Sequence, residues 1–153
     1  MYAQVEKRGT DEADGKNSSE EIREHFSRWF KWGMTTHEFW EIFFTDRRVI
    51  LALVGETYTT FLLRGDMSDP KREALRVSSP EAILKADKDN YAVPYEQIKQ
   101  VTLRKGSLFF MPRLSIEVEG GERRDFFIGD RRYDLVKHRA NLECLLPGRV
   151  RFV

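Results

Sequence analysis

The apolar residues of this chain fall in short bursts divided by turn-forming residues, and the spacing inside each burst predicts an element. Ile22, Phe26, Trp29 and Phe30 recur at i, i+4, i+7 and i+8, one stripe of an α-helix. Ser18 stands three residues before Glu21, the spacing of a capping box, and Gly33 suits a helix end. A helix over 19–32 follows. Residues 1–17 are polar, carry Gly, Asp and Asn without apolar period, and read as a disordered tail ahead of a single domain over 18–153.

The pattern then changes to β. Phe39–Phe44, Val49–Val54 and Tyr58–Leu63 are rich in β-branched and aromatic residues, with "TDRR" (45–48) and "GET" (55–57) between them as hairpin turns. The first two segments are apolar on both faces, so one face meets a core and the other needs a cover, which the N-terminal helix supplies. An insert over 64–90 breaks this rhythm. Its first part, "RGDMSDPKREALRVSS" (64–79), reads as loop, and its Arg-Gly-Asp tripeptide as coincidence. Ser79 and Pro80 then start a short helix reaching about Ala86.

In "VPYEQIKQVTL" (93–103), Pro94 lacks a donor and suits a strand start or edge. Ile98, Val101 and Leu103 miss period two by one step, and a turn or bulge near Lys99 and Gln100 would return all three to one face. Leu114, Ile116 and Val118 alternate with polar residues up to the Gly-Gly turn of "EGGE" (119–122), after which Phe126 and Ile128 return on a partner strand. Asp130 caps a final helix over 130–146, with Tyr133, Val136, Ala140 and Cys144 as its apolar stripe and Leu135 and Leu142 beside it. In the tail "GRVRFV", Val150 and Phe152 alternate with Arg149 and Arg151, as in an extended segment that docks on a sheet or stays mobile.

Antiparallel meander strands, a Pro-Tyr-x-x-Ile segment, a Gly-Gly hairpin and one C-terminal helix, in that order, resemble the pleckstrin-homology-like (PH-like) superfold, especially its bacterial and GRAM-like versions. The resemblance rests on "FFTDRRVILAL" (43–53), "VPYEQIKQVTL" (93–103) and "LSIEVEGGERRDFFI" (114–128), and spans roughly residues 38–146 on this division into elements. It implies a mainly-β fold with helices: a bent, partly closed antiparallel barrel over 38–128 plugged at one end by the last helix. It implies no reaction. The helix over 19–32 and the insert over 64–90 depart from the family pattern. On this frame Pro94 protects an edge, and Tyr95 covers the barrel lip with its phenol in water.

Composition narrows the function classes. The chain has 153 residues, 41% hydrophobic and 33% charged, which suits one globular domain. No apolar run reaches the roughly 20 residues that span a bilayer, and the first residues lack the apolar centre of a secretory signal. Cys144 is the lone cysteine, so no intrachain disulfide forms, and as part of an apolar stripe it reads as a small buried hydrophobe. A cytoplasmic protein is expected. No phosphate-binding glycine loop, nucleophile elbow or dinucleotide fingerprint is present. His37-Glu38 begins like a zinc-protease motif, but Glu41 holds the place of the second ligand. His25, His37 and His138 fall on separate elements. The expectation is a non-enzymatic module without metal or cofactor.

Formal charge is +1, which announces no polyanionic partner. Yet from Gln97 to Ile116 there are four bases and no acid, whereas from Asp11 to Glu24 six acids face two bases. "RKGSLFFMPR" (104–113) sets four apolar residues between bases. Either Phe109 and Met111 continue a strand toward the core, the plainer reading, or the segment is a membrane-inserting tip whose bases meet lipid phosphates. The candidate lipid- or partner-binding residues are Lys99, Arg104, Lys105, Phe109, Phe110 and Arg113. "SRWFKWG" (27–33) also alternates bases with aromatics, and there the covering helix is the better reading. The leading expectation is a protein partner or a second copy bound at a sheet edge, and the alternative is an anionic membrane surface. Nucleic acid ranks last, because the basic run is short and no recognition motif accompanies it.

Overall fold

The structure, a computed structural model, describes residues 19–33, 35–58 and 69–153. The expected tail over 1–17, the third strand beyond Tyr58 and the Arg64-Gly65-Asp66 tripeptide lie outside these residues. The strands are β1 (Ile22–Trp32), β2 (Thr36–Thr45), β3 (Arg48–Tyr58), β4 (Tyr91–Pro94), β5 (Ile98–Arg104), β6 (Arg113–Val118), β7 (Arg123–Phe127) and β8 (Val150–Phe152). The helices are α1 (Asp69–Arg76), α2 (Pro80–Lys85) and α3 (Arg139–Leu145). All eight strands form one sheet in the order β4-β3-β2-β1-β7-β6-β5-β8. The expected barrel is therefore an open sheet, with β4 and β8 as its edges. Its two halves join at a narrow seam, the β1–β7 pair Phe30 and Phe127. Both halves contribute to one core, from Phe26, Ile42 and Leu51 on one side to Val101, Ile116 and Phe126 on the other.

Residues 22–32 correct the first expectation: they form a strand, not a helix. Phe26 pairs with Ile42 but Trp29 with Trp40, so β1 uses three steps where β2 uses two. Such a bulge adds one residue and resets the alternation. Arg28, inside the bulge, takes a left-handed φ of 66°. Phe26 and Trp29 thereby share the core face three residues apart, imitating a helical stripe. Ile22 packs on the opposite side, against a second cluster. Gly33 does not end a helix but turns the chain toward β2, donating its N–H to the Thr36 carbonyl at 2.8 Å. A Cβ there would lie 2.7 Å from that same oxygen, so only glycine fits.

The expected strands over 39–44 and 49–54 lie within β2 and β3, joined at "TDRR" as anticipated. "GET" is not a turn. Those residues continue β3, where a register shift opposite Phe39 and Trp40 absorbs one residue. The two-faced apolarity of these strands is resolved by the insert and not by an N-terminal helix. Trp40, Ile42, Phe44, Val49 and Leu51 face the main core. Phe43, Ile50, Ala52 and Val54 face the second cluster, closed by Leu75 of α1 and Ile83 of α2. The Ser79 hydroxyl caps α2 as expected, accepting from Ala82 N–H at 3.2 Å. The stretch expected to be loop contains α1, and Asp69-Pro70 repeats the start signal of Ser79-Pro80.

Pro94 closes β4 rather than opening a strand, but β4 is an edge strand, where a residue without an N–H is tolerated. Tyr95 is not wet. Its ring is buried and its phenol donates to the Thr45 carbonyl, tying the β2–β3 turn to the β4–β5 corner. The anticipated bulge at Lys99 is present, and Ile98, Val101 and Leu103 all point into the core. Gly120 and Gly121 make the β6–β7 turn with φ of 96° and 89°.

The final helix is much shorter than expected. Asp130 accepts from Arg132 N–H at 3.0 Å in a turn, and a 3₁₀ turn over Val136–His138 precedes α3. That irregular approach shifts the helical phase: Leu135, His138, Leu142 and Leu146 are buried, while Val136, Ala140 and Cys144 of the expected stripe are exposed. Cys144 is thus not a core residue. Two hydrogen bonds to Glu24 hold α3 against β1, from Asn141 at 2.7 Å and with His138 Nδ1 at 2.6 Å. Beyond Gly148 the tail docks on its own sheet, running parallel to β5 as β8.

Candidate functional site

β5 and β6 run into a loop over 105–112 whose crest is Leu108, Phe109 and Phe110. These side chains are 75%, 80% and 57% exposed, contrary to the expectation that Phe109 continues a strand into the core. Local bonds fix the loop. Ser107 N–H donates to the Phe110 carbonyl at 2.8 Å, and the Ser107 hydroxyl accepts from Phe110 N–H at 3.2 Å. Arg131, beyond β7, donates to the Leu108 carbonyl. At Gly106 a Cβ would stand 2.3 Å from the Arg131 carbonyl oxygen, so the chain packs there as only glycine allows. The apolar crest is held out by its base.

Bases ring that base. Arg104 lays its guanidinium over Phe110 at 5.0 Å, a cation–π contact. Arg104 and Arg113 stand directly opposite across β5–β6, a like-charge pair that destabilises a sheet. Burial, and next the Arg104 charge, push the Arg113 guanidinium below the ordinary arginine value. Lys105 is exposed and adjoins them in the chain. Five of the six candidate residues are thus brought together. Lys99 is not: it sits five residues along β5, roughly 16 Å away at strand rise, facing Glu117 at 3.7 Å.

Beyond Arg113 the outward face of β8-β5-β6-β7 continues as a shallow groove of about 320 Å³. Thr102 and Ser115, direct neighbours across β5–β6, form its low floor, and Arg113, Arg123, Arg151 and Glu117 stand around it. Arg151 and Thr102 are paired in the parallel β5–β8 ladder. The sequence reading missed Thr102, Ser115, Arg123 and Arg151. The alternation of "RLSIEV" and "GRVRFV" already put Ser115 and Arg151 on outward faces, but nothing local tells which strand β8 joins.

The other polar clusters are internal. Glu41, fully buried on β2, accepts from the Ser27 hydroxyl at 2.7 Å and from Arg28 N–H at 2.8 Å, with His25 Nε2 at 3.1 Å. The carboxylate is the hub of these bonds, and His25 meets Glu41 rather than the serine. His37 packs against Trp32 and Phe30, and His138 between Glu24 and the Tyr133 hydroxyl. Among the described residues no group of three His, Cys, Asp or Glu side chains is placed to hold a metal ion, and no helix is long and apolar enough to cross a membrane.

What the fold and this surface define, among the described residues, is a mainly-β chain with three short α-helices and a basic-aromatic crest. No protein-family model and no curated protein matches it. Among solved structures it is similar to the C-terminal domain of an unknown protein from Leishmania infantum, at 10% identity over 95% of this chain and 98% of that one, with a TM-score of 0.48. A likeness of that size carries no functional weight.

Proposed function

We propose that this chain is a non-enzymatic, PH-like binding module that docks peripherally on an anionic membrane surface through the 105–112 loop. The observation that carries the reading is the crest itself: three adjacent large apolar side chains held in solvent by a hydrogen-bonded base, with Arg104, Lys105 and Arg113 below them. Burying Leu108 and Phe109 in the acyl boundary is worth about 1.5–3 kcal/mol each. The three bases add about 1 kcal/mol each near anionic lipid, the composition of a cytoplasmic leaflet. Those terms outweigh the ordering cost of a loop already held in place. The PH-like assignment is supported by the order β4-β3-β2-β1-β7-β6-β5 with a helix after β7.

Self-association at a sheet edge has less to build on. One edge is the four-residue β4 ending in Pro94, and the other is the three-residue β8. The test is cosedimentation with phosphatidylcholine vesicles carrying phosphatidylserine. Phe109→Asp is expected to lower partition by more than tenfold at any salt, and Lys105→Glu to lower it at low salt only. Partition that neither substitution changes defeats the proposal. A mass in light scattering that rises with concentration and falls to monomer with Phe109→Asp would assign the crest to a second copy instead.

A further inference from the structure

A cavity of about 400 Å³ opens at the mouth of the main core, between β2–β3 and the β6–β7 turn. Trp40 and Leu53, directly paired across β2–β3, form its apolar floor, with Tyr91 of β4 beside them. Four acids and two bases surround that floor, which leaves a charge of −2. Arg124 is already satisfied there: it reaches Glu122 at 2.9 Å and lays its guanidinium over Tyr91 at 4.7 Å. The carboxylates of Glu38, Glu56 and Asp89 have no ion pair and no hydrogen bond among the described residues, and Lys31 is the one remaining base of the lining. Glu38 and Glu56 stand directly opposite across β2–β3, a like-charge pair that costs a sheet stability. Trp40 is only 7% exposed, and its indole Nε1 is buried without an acceptor. Facing carboxylates and an unmade hydrogen bond are both costs that a ligand of the right chemistry removes.

We propose that this cavity binds an extended basic segment of a partner protein, with lysine or arginine at alternate positions. One cationic side chain meets Glu38 and Glu56, the next meets Asp89, and a backbone carbonyl between them accepts from the Trp40 indole. The acids are spread out rather than convergent, since among the described residues no group of three could hold a metal ion. Glu38 lies two residues before Trp40 on β2, about 7 Å at strand rise. Asn90, which follows Asp89, accepts the Leu53 N–H at 2.8 Å and so sets Asp89 beside the Trp40–Leu53 pair. Two acidic positions one such step apart match side chains i and i+2 of an extended peptide, which share one face at the same spacing. The alkyl stems of those side chains cover the apolar floor. A polyamine would bring the charges but no acceptor, whereas a peptide brings both. The proposal stands apart from the docking proposed above: β6 runs about 17 Å from Arg113 at the crest to Val118 at the turn, so a docked crest leaves the cavity open.

The experiment titrates the full chain, by calorimetry, with acetyl-Lys-Ala-Lys-amide and with cadaverine, which carries the same two ammonium groups and no carbonyl. The native chain is expected to bind the peptide saturably, with a Kd on the order of 0.1 mM, and cadaverine at least about tenfold more weakly. Glu56→Gln and Asp89→Asn are each expected to weaken the peptide about tenfold, the worth of one charge-assisted hydrogen bond. Glu56→Gln also removes one of two facing like charges, so it is expected to melt no lower than the native chain, and its lost affinity is not lost fold. Phe109→Asp is expected to leave peptide binding unchanged, which separates the cavity from the crest. Cadaverine that binds as tightly as the peptide would give the cavity to a free diamine and overturn the proposal. Peptide binding that does not saturate, or that survives both acid substitutions, overturns it as well.

Discussion

Replacing Glu41 by glutamine should unsettle the bulge that makes β1 a strand of this sheet. The carboxylate is 0% exposed, and one of its oxygens receives the N–H of Arg28, the residue with φ of 66°. Its other oxygen receives Ser27, and Arg72 of α1 approaches to 3.6 Å. Glu41 thus joins the bulge of β1 to the helix that covers β2 and β3. Glutamine keeps the shape but offers one acceptor oxygen, and its amide group must face a donor. Losing about two charge-assisted hydrogen bonds, partly replaced by a neutral one, costs about 3 kcal/mol. A domain of this size holds about 5–15 kcal/mol in all and shifts its melting temperature by about 2–4 °C per kcal/mol. Glu41→Gln is therefore expected to melt about 6–12 °C lower at pH 7, with an unchanged dependence on urea. The difference should also depend on pH. Burial alone would raise the Glu41 carboxyl, but hydrogen bonds from His25, Ser27 and Arg28 outweigh it and hold it below its usual 4.5. A carboxyl lowered by folding stabilises above its unfolded value, and that contribution is lost as pH falls through the folded value. The native and substituted chains should converge in melting temperature below about pH 4.5. A shift under about 2 °C at pH 7, or a gap that stays constant into acid, would refute this account of the bulge.

Burial lowers the His138 imidazole below its usual 6.5, against the pull of Glu24, so folding holds it neutral. Its contribution is full above pH 6.5 and is lost as pH falls, since only the unfolded chain gains the proton; His138→Gln should flatten the urea midpoint between pH 7.5 and about 5, and an unchanged slope would show that other groups set it. Truncation after Pro147 removes β8, whose Val150 and Phe152 pack against the main core. It is expected to cost about 2–3 kcal/mol with no change of mass, whereas a native dimer that becomes a stable monomer would mean that β8 is exchanged between copies.

Where a local rule leaves one answer, the sequence alone decided the outcome. Two adjacent glycines after an alternating run gave the β6–β7 turn, and Ser79-Pro80 gave the start of α2, because both depend on backbone preferences within a few residues. Apolar residues three apart have two answers. At Ile98 and Val101 the interval suggests a bulged strand and at Phe26 and Trp29 a helix, yet both are bulges. The second bulge exists because Glu41, remote in sequence, accepts the Arg28 N–H, and no window around residue 28 contains that partner. The two-sided apolarity of β2 and β3 showed that something must cover them, but only the packing of Leu75 and Ile83 identified the insert as the cover. The candidate surface divides in the same way. Bases and aromatics in 104–113 marked the crest, since those residues are contiguous. Its exposure was not legible, because a hydrophobic segment faces core or solvent according to what packs on it. The groove needed still more: Thr102, Ser115 and Arg151 come from three strands, and Arg151 reaches them only because the tail adds parallel to β5. Strand pairing is a long-range choice among competing edges, and tertiary structure makes it.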